Sequence, residues 1–136
     1  VMLVGYSQGG LVAAQLGKEA KAGLLSYQVD EVVTFGSPVG SNGAESLPKM
    51  LSVENKADFV PHLDTISNPK SQNWLTLEGK VEIDPIHNHE METYQKIVAN
   101  FEVSGEAGES QIVRGVESFA SGSGAVSYFE IGQKAS

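Results

Sequence analysis

The chain contains no cysteine, so a disulfide framework, a thiolate nucleophile and a cysteine metal site are all excluded. Basic residues are scarce as well: nine Lys and Arg stand against seventeen Asp and Glu, for a formal net charge of −8. Nucleic-acid backbones are gripped by clustered cations, and so acidic a chain argues against nucleic acid as a partner. Long apolar runs are missing too. The opening run, Val1-Met2-Leu3-Val4, is far too short to span a bilayer, and it lacks the basic flank and apolar length of a signal peptide. What remains is globular composition, 40% hydrophobic over 136 residues, enough for one domain with a real core.

Residues 1–4 form a continuous apolar run that ends at Gly5, the pattern of a central strand buried on both faces of a parallel sheet. Leu11, Val12, Ala14 and Leu16 then recur at helical spacing from Gln8 to about Lys21, and Gly23 closes the helix. A second buried strand is expected within residues 29–35, where Val32-Val33-Thr34-Phe35 precedes Gly36-Ser37-Pro38. Residues 40–48 read as a loop with room for one helical turn, residues 50–54 as a third strand, and Trp74-Leu75-Thr76-Leu77 as a shorter fourth. Met91, Tyr94, Ile97, Val98 and Phe101 mark an amphipathic helix between His89 and Phe101. Beyond about residue 103 the pattern weakens into a C-terminal helix near residues 110–119, a Gly/Ser turn at residues 121–124 and an edge strand over residues 126–131. Alternating strands and helices imply an α/β architecture with a mainly parallel sheet flanked by helices.

Gly5-Tyr6-Ser7-Gln8-Gly9 matches G-x-S-x-G, and it stands after a buried strand and before a helix, where that motif makes a sharp turn that exposes the serine. Gly5, Gly9 and Gly10 are expected to let strand and helix approach closely. The Gln8 backbone N–H, at the helix start, is aimed where a negative oxygen would develop on a substrate carbonyl. A serine hydroxyl needs a histidine to take its proton and a carboxylate to fix that histidine's tautomer. Asp58, just past the third strand, is the candidate acid, with Asp64 and Asp84 as rivals farther from a strand end. Of the three histidines, His62 follows Asp58 too closely to bridge it to Ser7, which leaves His87 and His89. His89 is preferred because the helix that follows can hold its ring; His87 is the alternative base. Asp84, His87, His89, Glu90 and Glu92 are close in sequence, but their spacing is not that of a helical H-E-x-x-H site, so neither metal nor cofactor is expected.

Four segments together, Gly5-Tyr6-Ser7-Gln8-Gly9-Gly10, Thr34-Phe35-Gly36-Ser37-Pro38, Asn55-Lys56-Ala57-Asp58-Phe59-Val60-Pro61 and His89-Glu90-Met91-Glu92-Thr93-Tyr94, resemble the lipase and esterase branch of the α/β-hydrolase superfamily. The resemblance covers about residues 1–94. It implies Ser7 as nucleophile, Asp58 as acid and a His before a Tyr-containing helix as base, which favours His89, acting on a small-molecule or lipid ester. Thioester or amide cleavage would use the same residues, and the rival class is a non-catalytic binding module on the same fold. The family's earlier strands and the loop that gives a second oxyanion donor have no counterpart here. The expectation is therefore a single partial domain, the C-terminal part of an α/β-hydrolase, with the N-terminal half as its missing partner and little activity in isolation. Residues 1–103 would form its core and residues 104–136 a helix and tail.

Overall fold

The computed structural model describes residues 1–69, 71–81, 84, 87–104, 114–115, 118 and 125. Its elements are β1 (Met2–Tyr6), α1 (Gln8–Lys21), β2 (Glu31–Phe35), β3 (Lys49–Asn55), β4 (Trp74–Gly79) and α2 (Met91–Ser104), with short 3-10 turns at Ala44–Ser46, Val60–His62 and His87–His89. The four strands form one parallel sheet in the order β1-β2-β3-β4. The result is a small α/β fold. Its register sets Tyr6 opposite Phe35 and Phe35 opposite Val53, so the carboxyl ends of β1, β2 and β3 lie side by side and their outgoing loops share one edge of the sheet.

Successive strand residues point to opposite faces, and the two faces are covered by different helices. On one face Val32, Met50 and Trp74 pack with Ala13 and Ala14 of α1 and with Val39 and Leu47 of the β2-to-β3 connection. The small residues on the inner side of α1 bring that helix close to the sheet. Its last turn is tied down by the Lys21 ammonium, which donates to the Glu45 and Leu47 carbonyls at 2.7 Å each and suits the negative end of the helix dipole. On the other face Val33, Leu51, Val53 and Leu77 meet Tyr94 and Ile97 of α2. Each such fully buried side chain contributes ~1.5–3 kcal/mol relative to exposure. The polar atoms inside the first layer are paired: Thr34 Oγ1 and Trp74 Nε1 each lie 3.1 Å from Ser52 Oγ.

One expectation changes. Residues 1–4 read as a central strand buried on both faces, yet among the described residues β1 is an edge strand, with Val4 56% exposed. The reason lies in the layers: α1 covers β1 and β2 on one face, whereas α2 contacts β3 and β4 on the other and leaves the Val4 side open. The expected elements at residues 121–124 and 126–131 lie outside the described residues. So does most of the expected helix at residues 110–119, of which Arg114, Gly115 and Ser118 alone are described, in helical conformation.

Candidate active site at the carboxyl ends of the strands

Ser7 occupies the single residue between β1 and α1, with φ 54° and ψ −124°. Among the described residues Ser7 and Thr65 are the only non-glycine positions with positive φ, a conformation that costs an L side chain ~1–3 kcal/mol and persists only where the surroundings impose it. Here they do. The Ser7 N–H donates to the Phe35 carbonyl at 2.9 Å, and the Gly10 N–H donates to the Ser7 carbonyl at 3.1 Å. A Cβ on Gly5 would stand 2.5 Å from both N and Cα of Gly10, and one on Gly10 would collide with Ser37. The turn therefore closes only around hydrogen at these two positions. Gly9 differs from expectation: a Cβ there would meet nothing within 4 Å, so it has no part in the close approach.

Asp58 follows the end of β3 and is 2% exposed. Its Oδ1 accepts the Val60 N–H at 2.9 Å, a turn local to the loop. Its Oδ2 accepts from His89 Nδ1 at 2.5 Å and from the Tyr94 hydroxyl. His89 ends the 3-10 turn before α2, and its Nε2 lies 2.8 Å from Ser7 Oγ. A proton on Nδ1 satisfies both contacts: that nitrogen donates to Asp58 while Nε2 accepts the serine hydroxyl. The His89 side chain is 21% exposed against 1% for Asp58, which leaves the imidazole edge open to a ligand while the carboxylate behind it is sealed.

Two tyrosines frame this line. Tyr6, the last residue of β1, stacks on the His89 ring at 5.1 Å between centroids and 25° between planes, and its hydroxyl donates to the His89 carbonyl. Tyr94 meets both rings edge-on. Burial, and then the hydrogen bond and negative charge of Asp58, hold the Tyr94 hydroxyl far above the ordinary tyrosine range. Burial also raises Tyr6, with Asp58 and Glu90 adding to the effect.

Sequence reasoning passed over Asn55, the fully buried last residue of β3. Its Nδ2 donates to the carbonyls of Val81 at 2.8 Å and Asn88 at 3.1 Å, while its Oδ1 accepts the N–H groups of Ala57 at 3.2 Å and Val81 at 3.0 Å. One side chain thus ties the loop of Asp58 to the segment of His89, with every amide valence used. In the sequence it is indistinguishable from an asparagine that merely starts a turn.

The other candidates lie apart from this line. The His87 side chain is 52% exposed and is bound to Asp84, which, with the neighbouring Glu90, raises the pKa of His87. Asp64 Oδ2 accepts the Ser41 N–H at 3.0 Å, and His62 ends the 3-10 turn after Phe59. The Gln8 N–H is the first of α1 and has no acceptor within the helix. A cavity of about 560 Å³ lies between β3, β4 and the loop that joins them, floored by Glu54, Trp74 and Thr76; none of Ser7, Asp58 or His89 lines it.

No family model, no curated protein and no solved structure matches the chain. Among the described residues, no helix is long and apolar enough to cross a membrane, and no group of three or more His, Asp or Glu is arranged to hold a metal ion.

Proposed function

We propose that this chain is a serine hydrolase of the α/β-hydrolase type, in the lipase and esterase branch, that cleaves carboxylic esters through Ser7, His89 and Asp58. The observation that carries the reading is the unbroken line from Ser7 Oγ to His89 Nε2 at 2.8 Å and from His89 Nδ1 to Asp58 Oδ2 at 2.5 Å. The serine that starts this line sits in a backbone conformation that serines rarely adopt. A strained serine on a strand-to-helix turn, a histidine and a buried carboxylate have a common purpose in acyl transfer.

In this mechanism Ser7 Oγ attacks the ester carbonyl carbon as His89 Nε2 takes its proton. The carbonyl oxygen becomes an oxyanion that the Gln8 N–H and the positive end of α1 stabilise. Asp58 keeps the imidazole in the required tautomer and balances the imidazolium charge. His89 then returns the proton to the departing alkoxide, which leaves as the alcohol, and an acyl-serine remains. Water attacks that acyl group by the same route, and Ser7 regains its proton.

Hydrolysis of p-nitrophenyl esters by the protein, expressed from its complete reading frame, tests the proposal. His89→Ala is expected to lower kcat by ~10⁴-fold or more, and His87→Ala to leave it within about twofold, because His87 pairs with Asp84 at the surface. Loss of activity in the His87 variant with retention in the His89 variant would reassign the base.

A further inference from the structure

Tyr94 and Tyr6 are not needed for the chemistry just described, yet both touch the residues that perform it. Asp58 Oδ2 has two acceptor directions in the carboxylate plane, and the structure fills both: His89 Nδ1 takes one and the Tyr94 hydroxyl the other. Oδ1 is occupied by the Val60 N–H. The carboxylate is thus fixed at both oxygens and cannot rotate without breaking a hydrogen bond in a buried setting. Tyr94 is itself fully buried on α2, with its ring edge-on to Phe35.

The room for its hydroxyl is made by Gly36, whose φ is 57° and whose missing Cβ would stand 2.6 Å from Tyr94 Cζ. The Gly36 of the Thr34-Phe35-Gly36-Ser37-Pro38 segment therefore serves the Tyr94 seat. Tyr6 acts on the other member of the pair, holding the His89 carbonyl with its hydroxyl and the imidazole with its ring face.

We propose that Tyr94 and Tyr6 are positioning residues: Tyr94 locks the Asp58 carboxylate through the oxygen that receives His89, and Tyr6 locks His89 through its backbone carbonyl and ring face. The proposal rests on the Ser7–His89–Asp58 reading given above. It explains why a bare Asp–His contact, with one side chain on a loop and the other on a 3-10 turn, is held in register with Ser7 on a third element. Burial, and then the hydrogen bond and charge of Asp58, hold the Tyr94 hydroxyl far above the ordinary tyrosine range, which keeps it a donor to that carboxylate.

The test compares the wild-type protein with Tyr94→Phe, Tyr6→Phe, Asp58→Asn and the double variant Asp58→Asn/Tyr94→Phe, each checked for folding by circular dichroism. Removing one donor from a buried carboxylate is expected to lower kcat about ten- to a hundredfold with KM within about twofold, and Tyr6→Phe about tenfold. In the Asp58→Asn background, Tyr94→Phe is expected to add no further loss, because it acts through that carboxylate. A loss of equal size in both backgrounds, a loss confined to KM, or no loss at all would overturn the assignment.

A readout independent of turnover is the proton NMR resonance of His89 Nδ1–H, which is expected downfield in the wild type and displaced in Tyr94→Phe. Its absence from the wild type, or an unchanged position in the variant, would overturn the clamp. A wild type that shows the resonance and its displacement but hydrolyses no ester would sink the hydrolase reading and leave the clamp standing.

Discussion

Truncating Asn55 to alanine removes four hydrogen bonds and leaves two backbone N–H groups and two carbonyls without the partner that now satisfies them. A typical intramolecular hydrogen bond contributes ~0.5–1.5 kcal/mol net, so the four sum to ~2–6 kcal/mol. Water that enters the space vacated beside Val81 would recover part of this, which puts the expected loss at about 2–4 kcal/mol, a large fraction of the ~5–15 kcal/mol that holds a domain folded. Urea unfolding followed by circular dichroism measures it as a lower midpoint at an unchanged slope. Because Asn55 joins the loop of Asp58 to the segment of His89, ester hydrolysis should fall about tenfold or more even where the variant is still folded. Asn55→Asp is expected to be at least as damaging: it keeps the acceptor for Ala57 and Val81 but turns a donor into a charge facing two carbonyls. A loss below about 1 kcal/mol with full activity would refute the reasoning, since it would mean the loops are held in register by something else.

Gly36→Ala places a Cβ at a positive φ and against the Tyr94 ring, so it should cost about 2–3 kcal/mol by thermal or urea unfolding, well above the few tenths expected of an exposed glycine. Glu31 gives a pH dependence. Its side chain is buried and its Oε2 has no partner among the described residues; burial raises its pKa above the ordinary 4.5 despite the opposing charge of Lys49. The folded state then holds the Glu31 proton more tightly than the unfolded state, so stability is full below pH 4.5 and falls as pH rises through the raised value. Glu31→Gln should accordingly raise the melting temperature at neutral pH, with the gain closing below pH 4.5. A gain that persists or grows in acid would contradict this sign.

Much of the framework was legible because it rests on local chemistry. The β-branched run Val32-Val33-Thr34 and the apolar spacing of α1 and α2 announce strands and helices whatever surrounds them. The G-x-S-x-G segment fixes the turn that carries Ser7 by sterics alone, although Gly9 turned out to be dispensable to that packing. Asp58 and His89 could be singled out because strand ends and loop-to-helix junctions share one edge of a parallel sheet, and the structure brings their side chains to Ser7. Asn55, Tyr6 and the hydroxyl of Tyr94 were not legible in the same way. Apart from the Ala57 N–H beside Asn55, their partners lie 26 to 83 residues away in the chain, and a tyrosine at a helical apolar position looks like any core aromatic until its hydroxyl is seen to meet a carboxylate. The exposure of β1 was hidden for a related reason: an apolar run predicts burial, but which faces are covered depends on where α1 and α2 come to rest.

The most direct test of the central claim is covalent. The protein, expressed from its complete reading frame, is treated with a fluorophosphonate probe and digested, and the labelled residue is located by mass spectrometry, beside Ser7→Ala and His89→Ala variants. The account predicts one label, on Ser7, absent from Ser7→Ala and slowed by orders of magnitude in His89→Ala. A folded protein that takes no label, or takes it elsewhere than Ser7, would contradict the serine-hydrolase reading.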